Sequence, residues 1–353
     1  MKILGIESSC DETAASVVED GTKLLSNVVS SSMDLHKVYG GVVPEIAARS
    51  HIEVIIPVIE EALDQAKTTW DDIDAIAVVN GAGLGGSLLV GVSTARTLAI
   101  IKNKPLYAVN HVEGHVYANF VNKTALEGYK LPKQQPKFPC LALIVSGGHT
   151  QLVLFEGHFN YRLLGQTHDD AIGEAYDKVA KILGLPYPGG PSVSEAAKAG
   201  DGFKYQLPKA KLKAPYDFSF SGPKTAVLRL AQSLINEDYD FPSYRLASRL
   251  SEVQKRDIAA SFQRVAIETV VDKLVNAYQE FSPKSVVIGG GVASDPNLRD
   301  EISKRLPIPV EYTDRKLCTD NGAMVATLGY YEAKHNQKKA DPYSLAISPN
   351  LSM

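Results

Sequence analysis

Two histidines stand four residues apart in the stretch from Asn110 to Tyr117, at His111 and His115. An apolar strand candidate precedes them, so the stretch is predicted to begin a helix, on which residues four apart share one face. Both imidazoles could then reach a single divalent metal ion. Glu113 is predicted to point to the opposite side of the helix, unlike the glutamate of the H-E-x-x-H motif. The alternative is that two histidines share a helix by chance.

A third metal ligand is available near the start of the last predicted helix, which spans residues 321–333. Asp320 lies in the segment Cys318–Ala323, where its carboxylate could also act as the N-cap of that helix. At the edge of a ligand pocket, it would complete a set of two histidines and one carboxylate with open coordination positions. Such a set is typical of iron and also accepts zinc.

Two polar turns follow predicted strands and could contact a ligand. The first turn holds two adjacent carboxylates, Asp11 and Glu12, although a solvated hairpin is the alternative. The second turn holds Gly147 and Gly148, which let a phosphate or carboxylate reach backbone N–H groups without interference from a Cβ atom. The second turn is therefore the more specific indication of a ligand site.

Two other glycine-rich segments also follow predicted strands. Gly81–Gly86 matches G-x-G-x-x-G, but Asn110 stands where the ribose-binding acid of a dinucleotide fold is expected, so close backbone packing is the favoured role. Gly289–Gly291 leads from a strand into a helix, which suits a nucleotide base or ribose and also suits a tight turn.

The composition is that of a soluble globular protein with two domains or two lobes: 353 residues, 44% hydrophobic and 22% charged. A net charge of −3 gives no overall basic field, so any RNA contact must come from a local patch or a partner. The three cysteines show no CxxC spacing, and no apolar run reaches the length of a membrane span or forms a signal-peptide core. These features predict a cytoplasmic protein that does not contact membranes.

The order of predicted elements repeats along the chain. A strand, a polar turn and a second strand occupy residues 2–18 and recur at residues 141–155, and each copy continues as β-β-β-α-β-α. This repetition predicts a duplicated α/β fold with the ligand in the cleft between the copies. The predicted lobes are residues 1–110, with residues 320–353 packing on them, and residues 111–319.

The sequence also predicts an apolar helix face, a further strand and a segment for RNA contact. The helical pattern that begins at Pro44 places Ile52, Ile55 and Ile56 on one buried face. A strand is predicted at residues 309–312. The strongest candidate for RNA contact is the segment from residue 198 to residue 213, with Tyr205 and Tyr216 offering rings for stacking. Its lysines are Lys198, Lys204, Lys209, Lys211 and Lys213, and a solvated surface loop is the alternative.

Several longer motifs occur in a fixed order along the chain. They are Gly5–Thr13, Tyr39–Glu45, His111–His115, Val145–Thr150, Asp169–Lys178, Tyr187–Pro191, Phe218–Gly222 and Cys318–Ala323. With these motifs the chain resembles, nearly from end to end, the tRNA threonylcarbamoyladenosine transferase family. That family was formerly called the glycoprotease or O-sialoglycoprotein endopeptidase family.

The resemblance implies duplicated ribonuclease-H-like lobes of the sugar-kinase/actin type. It implies transfer of a threonylcarbamoyl group from threonylcarbamoyl-adenylate to the exocyclic amine of an adenosine, with release of AMP. The acceptor is the adenosine 3′ of the anticodon in tRNAs that read codons beginning with adenine. The implied partners are tRNA, a non-catalytic paralogue subunit and a small ATPase subunit of the bacterial modification complex.

The resemblance also implies the residues that bind metal and substrate. One divalent metal per subunit, with iron (Fe²⁺) expected ahead of zinc, would be held by His111, His115 and Asp320. The implied substrate-binding residues are Ile144, Val145, Ser146, Gly147, Gly148, Asp177, Gly190 and Asp295. The family commonly has asparagine at the position of Asp295, where a carboxylate must hydrogen-bond ribose or point away from phosphate.

For catalysis, Asp11 or Glu12 could accept a proton from the attacking amine or orient it. Two other classes of function are open. A nucleotide-binding regulatory or kinase-like protein of the same fold would use the turns but not the histidine pair. A metalloprotease would use the histidines, although Glu113 faces the wrong way for a base.

Overall fold

The computed structural model of the chain describes residues 1–335 and 337–353. It divides into two compact units. The first unit comprises Met1–Lys137, Val287–Gly289 and Glu311–Met353, and the second comprises Phe138–Val286 and Gly290–Val310. Residues 111–137 therefore belong to the first unit, as does the segment that contains Asp320. Among the described residues, no helix has both the length and the apolar character that crossing a membrane requires.

The strands and helices are numbered here in chain order. The strands are β1 (Lys2–Glu7), β2 (Glu12–Glu19), β3 (Lys23–Leu24), β4 (Val28–Ser31), β5 (Ala75–Gly81), β6 (Leu106–Asn110), β7 (Lys123–Thr124), β8 (Cys140–Val145), β9 (Thr150–Gly157), β10 (Asn160–Gln166) and β11 (Ser285–Gly289). The α-helices are α1 (Met33–His36), α2 (Pro44–Gln65), α3 (Gly85–Ile101), α4 (His111–Tyr117), α5 (Ile172–Leu183), α6 (Gly189–Ala197), α7 (Ser221–Leu234), α8 (Glu252–Phe281), α9 (Pro296–Arg305) and α10 (Gly322–Lys334).

The first sheet brings polar strand ends to one edge. Its strand order is β6-β5-β1-β2-β3-β7, with β4 paired to β2. β1 and β2 are antiparallel, whereas β5 runs parallel to β1 and β6 runs parallel to β5. Because parallel strands end at the same edge of a sheet, Glu7 at the end of β1 and Asn110 at the end of β6 lie on that edge.

The two faces of β1 pack against different helices, because successive side chains of a strand point to opposite sides. Leu4 and Ile6 belong to a buried core that also includes residues of α2 and α3, such as Ile59 and Val92. Gly5 faces α10, where a Cβ atom would come within 2.4 Å of the backbone nitrogen of Ala326. The absence of a side chain at this position lets α10 approach the sheet closely.

Helix α2 begins at Pro44, as predicted, but its buried face differs from the prediction. Ile55 and Ile59 are buried, whereas the side chains of Ile52 and Ile56 are 65% and 46% exposed. Residues one turn apart share a face, so the exposed pair forms a second apolar stripe beside the buried one. The prediction that all the isoleucines share one buried face was wrong for these two residues.

The second unit repeats the beginning of the first. β8 and β9 are antiparallel and joined by the glycine turn, as β1 and β2 are joined by the carboxylate turn, and the sheet order is β10-β9-β8-β11. The repeated strand-turn-strand pattern confirms the predicted duplication. The strand predicted at residues 309–312 is absent, since those residues adopt no regular structure. Pro307 and Pro309 have no N–H groups to donate to a strand ladder, which explains this outcome.

Candidate functional site

The histidine pair lies at the start of α4, immediately after β6. The side chain of Asn110 caps this helix, because its Oδ1 accepts hydrogen bonds from the backbone N–H groups of Val112 (2.8 Å) and Glu113 (3.4 Å). The cap fixes His111 as the first helical residue and His115 one turn later. Both side chains are buried, and their ring centroids lie 4.8 Å apart. The predicted helical arrangement of this stretch is confirmed.

Asp320 lies beside both rings. Its Oδ1 is 3.6 Å from Nε2 of His111 and 3.5 Å from Nε2 of His115. Asn321, rather than Asp320, is the N-cap of α10, because its side chain accepts a hydrogen bond from the N–H of Met324 at 3.0 Å. The carboxylate of Asp320 is therefore not committed to capping and is available to a ligand.

The spacing of these three side chains fits a divalent metal ion. One ligand atom from each residue lies within 4.8 Å of the others. Two atoms that bind one ion tetrahedrally at about 2.1 Å stand about 3.4 Å apart, close to the separations from Asp320. Two imidazoles and one carboxylate suit Fe²⁺ and also Zn²⁺. The residues present therefore fit the metal that the sequence predicted.

The other ring nitrogen of His111 contacts residues that sequence reasoning did not single out. Its Nδ1 lies 3.1 Å from Oε2 of Glu7 and 3.0 Å from the hydroxyl oxygen of Ser9. Oε1 of Glu7 accepts a hydrogen bond from the backbone N–H of Ser9 at 2.5 Å. The available signal in the sequence was a carboxylate at the end of an otherwise apolar, buried strand, because a buried charge requires a partner.

These contacts change the proton affinity of the candidate ligands. Burial alone lowers the pKa of His111, but the carboxylates of Asp320 and Glu7 raise that pKa to about 9. Burial raises the pKa of Asp320 to about 6, with Glu7 adding to the shift and His111 opposing it. In the protein without metal, His111 therefore carries a proton at neutral pH that a metal ion must replace.

Glu113 stands apart from this group, as predicted. It is not among the three residues whose ligand atoms converge. Burial raises the pKa of Glu113 to about 7, and burial together with Glu113 raises the pKa of Glu332 to about 8. A glutamate outside the group of converging ligand atoms is not placed to act as the base of a metalloprotease at these histidines.

The first polar turn brings two carboxyl groups near Asp320. Burial and the charges of Asp320 and Asp11 together raise the pKa of Glu12 to about 10. Without a metal ion beside Asp320, Glu12 therefore holds its proton at neutral pH. This leaves Asp11 as the candidate proton acceptor of the pair.

The second polar turn is open to a ligand on its outer side. Gly147 and Gly148 are exposed, and a Cβ atom built on either would meet no atom within 4 Å. The turn is held by hydrogen bonds from the Ser146 N–H to the His149 carbonyl (2.8 Å) and from the Gly173 N–H to the Ser146 carbonyl (3.2 Å). The turn therefore presents an accessible backbone on a rigid support.

The remaining predicted substrate residues also lie in the second unit. Ile144 and Val145 are fully buried residues of β8, so they support the turn from within the sheet. Asp177 of α5 accepts a hydrogen bond from the Gly189 N–H at 2.6 Å. A Cβ atom at Gly190 would meet open space. Ile144 and Val145 lie on the strand before the glycine turn, and Asp177 and Gly190 lie on the two helices, α5 and α6, that follow the hairpin.

Asp295 is held in a polar network. One of its carboxylate oxygens accepts the N–H of Asn297 (2.8 Å) as the N-cap of α9, and the other accepts Nε2 of Gln263 (3.0 Å). The same Gln263 nitrogen lies 3.0 Å from the hydroxyl of Ser194. An ionised carboxylate only accepts hydrogen bonds, so a ligand must approach Asp295 with a donor.

The lysine segment is only partly as predicted. Lys209 forms ion pairs with Glu268 and Asp272, each at 2.8 Å, whereas Lys211 and Lys213 are exposed. Tyr216 is buried and its hydroxyl hydrogen-bonds to Glu280, so the prediction that its ring is available for stacking was wrong. Lys198 and Lys204 are exposed as well, although Lys198 forms an ion pair with Glu195, and Tyr205 is half-buried.

Comparison with protein families gives one consistent result. A family model described as TsaD, tRNA N6-adenosine threonylcarbamoyltransferase, matches residues 23–327. Curated relatives carry the same description. The relative from Dehalococcoides mccartyi is 48% identical over 100% of this chain and 99% of its own length. The relative from Thermomicrobium roseum is 48% identical over 95% of this chain and 92% of its own length.

Solved structures with similar folds have much lower sequence identity. Full-length HypF in a phosphate- and nucleotide-bound form gives a TM-score of 0.57 at 12% identity, covering 94% of this chain and 56% of that one. Component A of the (R)-2-hydroxyglutaryl-CoA dehydratase of Acidaminococcus fermentans gives 0.50 at 16% identity, covering 95% and 99%. At these identities the likeness concerns the fold alone. It confirms the predicted class of duplicated ribonuclease-H-like lobes.

The metal site generates the first prediction. His111→Ala and His115→Ala should each lose stoichiometric zinc binding, because each removes one of three ligands, while the helical circular-dichroism signal persists. Zinc content after gel filtration measures the effect. His36→Ala is a control, since His36 is a buried histidine of the same unit that hydrogen-bonds to Ser32 and the Val43 N–H. Stoichiometric zinc in both α4 variants would contradict the site.

Proposed function

This chain belongs to the tRNA N6-adenosine threonylcarbamoyltransferase family, and from that membership we propose the donor, the site and the partners of its reaction. The enzyme transfers a threonylcarbamoyl group to N6 of an adenosine in tRNA. The proposed donor is threonylcarbamoyl-adenylate. The amine attacks its carbonyl carbon, the bond from that carbon to the phosphate oxygen breaks, and AMP leaves with that oxygen. The proposed acceptor is the adenosine 3′ of the anticodon in tRNAs that read codons beginning with adenine.

The arrangement of His111, His115 and Asp320 is the observation that carries the proposed chemistry. The three side chains would hold one divalent ion, which we propose to be Fe²⁺, with Zn²⁺ as the other metal that this donor set accepts. When bound, the ion supplies Lewis-acid polarisation of the threonylcarbamoyl carbonyl. Glu7 and Ser9 contact Nδ1 of His111 and would hold this ligand in place.

We propose that the first polar turn accepts the proton that the attacking amine loses. Asp11 is the proposed acceptor, because Glu12 has a pKa of about 10 in the protein without metal and is already protonated there at neutral pH. Glu12 would instead orient the amine or donate a hydrogen bond. Both residues belong to the same unit as the metal ligands.

We propose that the second unit binds the adenylate. Backbone N–H groups of Gly147 and Gly148 would meet the phosphate, which the open outer side of the turn supports. Ser146, whose own N–H is donated to the His149 carbonyl, would hold the turn in shape, and Ile144 and Val145 would support it from within β8. The glycine N–H donors would also stabilise negative charge that develops during transfer.

Three further residues are proposed for the nucleoside. Asp177 accepts the N–H of Gly189 and so holds the start of α6. Gly190, the next residue, has open space on its outer side where the nucleoside would lie. Asp295 would accept hydrogen bonds from ribose hydroxyls, because a carboxylate only accepts hydrogen bonds and would repel an anionic group. Each of its oxygens already accepts one protein donor and has a second lone pair for a ribose hydroxyl. This assignment explains how a carboxylate can occupy a position where the family commonly has asparagine.

The rival functions explain fewer of these observations. A metalloprotease needs a base beside its metal, and Glu113 lies outside the group of converging ligand atoms. A regulatory or kinase-like protein of this fold would leave the converging histidines and Asp320 without a role. The family match also favours the transferase over both alternatives.

We further propose that the enzyme works in the cytoplasm with a non-catalytic paralogue and a small ATPase. The family resemblance supports these partners. The net charge of −3 also supports them, because a weakly acidic protein benefits from a partner that helps to recruit tRNA.

The proposed reaction can be tested by supplying purified protein, loaded with Fe²⁺ or Zn²⁺, with threonylcarbamoyl-adenylate and unmodified tRNA, with and without the partner subunits. Modified adenosine and AMP should appear in equal amounts. AMP formed without modified adenosine would show hydrolysis instead of transfer and would contradict the proposal. Radiolabelled threonine in the donor distinguishes the two outcomes.

The glycine turn generates a prediction about adenylate binding. Gly148→Val should weaken AMP binding about tenfold or more, because the loss of a hydrogen bond to a charged group costs roughly 1.5–3 kcal/mol. Its melting temperature should change little, since the new side chain meets open space. Gly157→Val is a matched control at the end of β9, where a Cβ atom also meets no neighbour. Equal calorimetric affinities for wild type and Gly148→Val would refute the assignment.

The lysine segment generates a prediction about tRNA. Replacing Lys211 and Lys213 together with alanine should flatten the salt dependence of tRNA binding by about 1.4–1.8 in logarithmic slope, if each lysine contacts one phosphate. Lys209→Ala is the matched control and should leave the slope unchanged, because Lys209 is already paired with Glu268 and Asp272. Affinity is measured across a salt series with the partner subunits present. Superimposable lines for wild type and the double variant would identify the segment as a solvated loop.

A further inference from the structure

The carboxylate of Glu7 is fully buried at the end of β1, and each of its oxygens lies within hydrogen-bond distance of a neighbour. Oε1 accepts the backbone N–H of Ser9 at 2.5 Å, and Oε2 lies 3.1 Å from Nδ1 of His111. Because an ionised carboxylate is only an acceptor, Nδ1 of His111 must carry the proton in this contact. Nε2, which lies 3.6 Å from Oδ1 of Asp320, is then the nitrogen that is available to bind a metal ion once its proton has been displaced.

We propose that Glu7 is the positioning residue that fixes the tautomer and orientation of His111 and so prepares Nε2 to bind the metal. This inference rests on the proposed metal site. A histidine that binds a metal usually donates its other N–H to a carboxylate or carbonyl, which holds the ring and increases its basicity. Glu7 and His111 have this relationship, although they are 104 residues apart in sequence.

Ser9 extends the same arrangement to the carboxylate turn. Its N–H binds Glu7, and its hydroxyl lies 3.0 Å from Nδ1 of His111 and hydrogen-bonds to Asp320. The carbonyl of Ser9 accepts the backbone N–H of Leu84 at 2.8 Å. A Cβ atom at Gly83 would come within 2.6 Å of that carbonyl oxygen, so the backbone of Gly83 lies closely against it. Ser9 is therefore held by Glu7 at its N–H and by the backbone of Gly83 and Leu84 at its carbonyl. Through Ser9, Glu7 connects the metal ligand His111 to the turn that carries Asp11.

The substitution Glu7→Gln tests this role without changing the size of the side chain. The amide keeps one acceptor oxygen and places an NH₂ donor where the second oxygen stood. If the oxygen accepts the Ser9 N–H, the NH₂ faces Nδ1 of His111, which must then accept and leave the proton on Nε2. If the amide group is rotated by half a turn, its NH₂ faces the Ser9 N–H, and two donors then meet. Either orientation loses one hydrogen bond of the network.

The experiment measures zinc affinity by chelator competition for wild type, Glu7→Gln and Glu113→Gln. Glu113→Gln is the matched control, because Glu113 is a buried glutamate on the same helix as the histidines but lies outside the ligand set. We expect Glu7→Gln to weaken zinc binding about 10–100-fold, the usual effect of removing such a partner. Glu113→Gln should bind zinc as tightly as wild type.

A second measurement uses the wild-type protein and so does not depend on the folding of a variant. Nitrogen-15 NMR of the zinc-loaded protein should show a proton on Nδ1 of His111 and zinc on Nε2. Zinc on Nδ1, equal zinc affinities in wild type and Glu7→Gln, or equal losses in both variants would overturn the positioning role while the proposed transfer reaction stands. Wild-type protein that binds no zinc or iron would overturn the metal site and this role together.

Discussion

The contact between the buried carboxylate of Glu7 and Nδ1 of His111 is the constraint on which the candidate metal site depends. A buried charge is costly unless it is paired, so Glu7, the imidazole and Asp320 must be considered as one electrostatic group. Without a metal ion, the two carboxylates keep a proton on His111 and raise its pKa to about 9. A divalent cation in place of that proton would keep the group paired. The same charges would therefore stabilise either a proton or a metal ion at this position.

The fold produces this group by bringing distant segments to one edge of a sheet. β1 and β6 are both parallel to β5, so Glu7 and the start of α4 emerge on the same side. Helix α10 approaches the sheet closely because Gly5 has no side chain, which places the preceding Asp320 beside the two rings. The second unit uses the same strand-turn-strand element with a different turn, in which exposed glycines replace carboxylates. In the proposed function, one copy of this element would serve cation binding and the other would serve anion binding.

The parts of the site that could be predicted from sequence are those that depend on local geometry. His111 and His115 share a face through helical periodicity alone, and the paired glycines at 147 and 148 are recognisable in any strand-turn-strand segment. The role of Glu7 could not be predicted, because its partner lies 104 residues away and meets it only through the parallel pairing of the strands. The protonation of Glu12 depends on burial, and the burial of Tyr216 depends on its contact with Glu280. The burial of Ile52 and Ile56 was predicted wrongly from periodicity. An apolar stripe in the sequence does not show whether another element packs against it.

The central claim is that His111, His115 and Asp320 hold one catalytic metal ion in a tRNA N6-adenosine threonylcarbamoyltransferase. Anomalous diffraction at the zinc edge, from crystals grown with zinc, tests it most directly. The predicted result is one strong peak within about 2.0–2.2 Å of Nε2 of both histidines and of a carboxylate oxygen of Asp320. A peak elsewhere in the chain with none beside α4, or a peak that touches the histidines without Asp320, would contradict the claim.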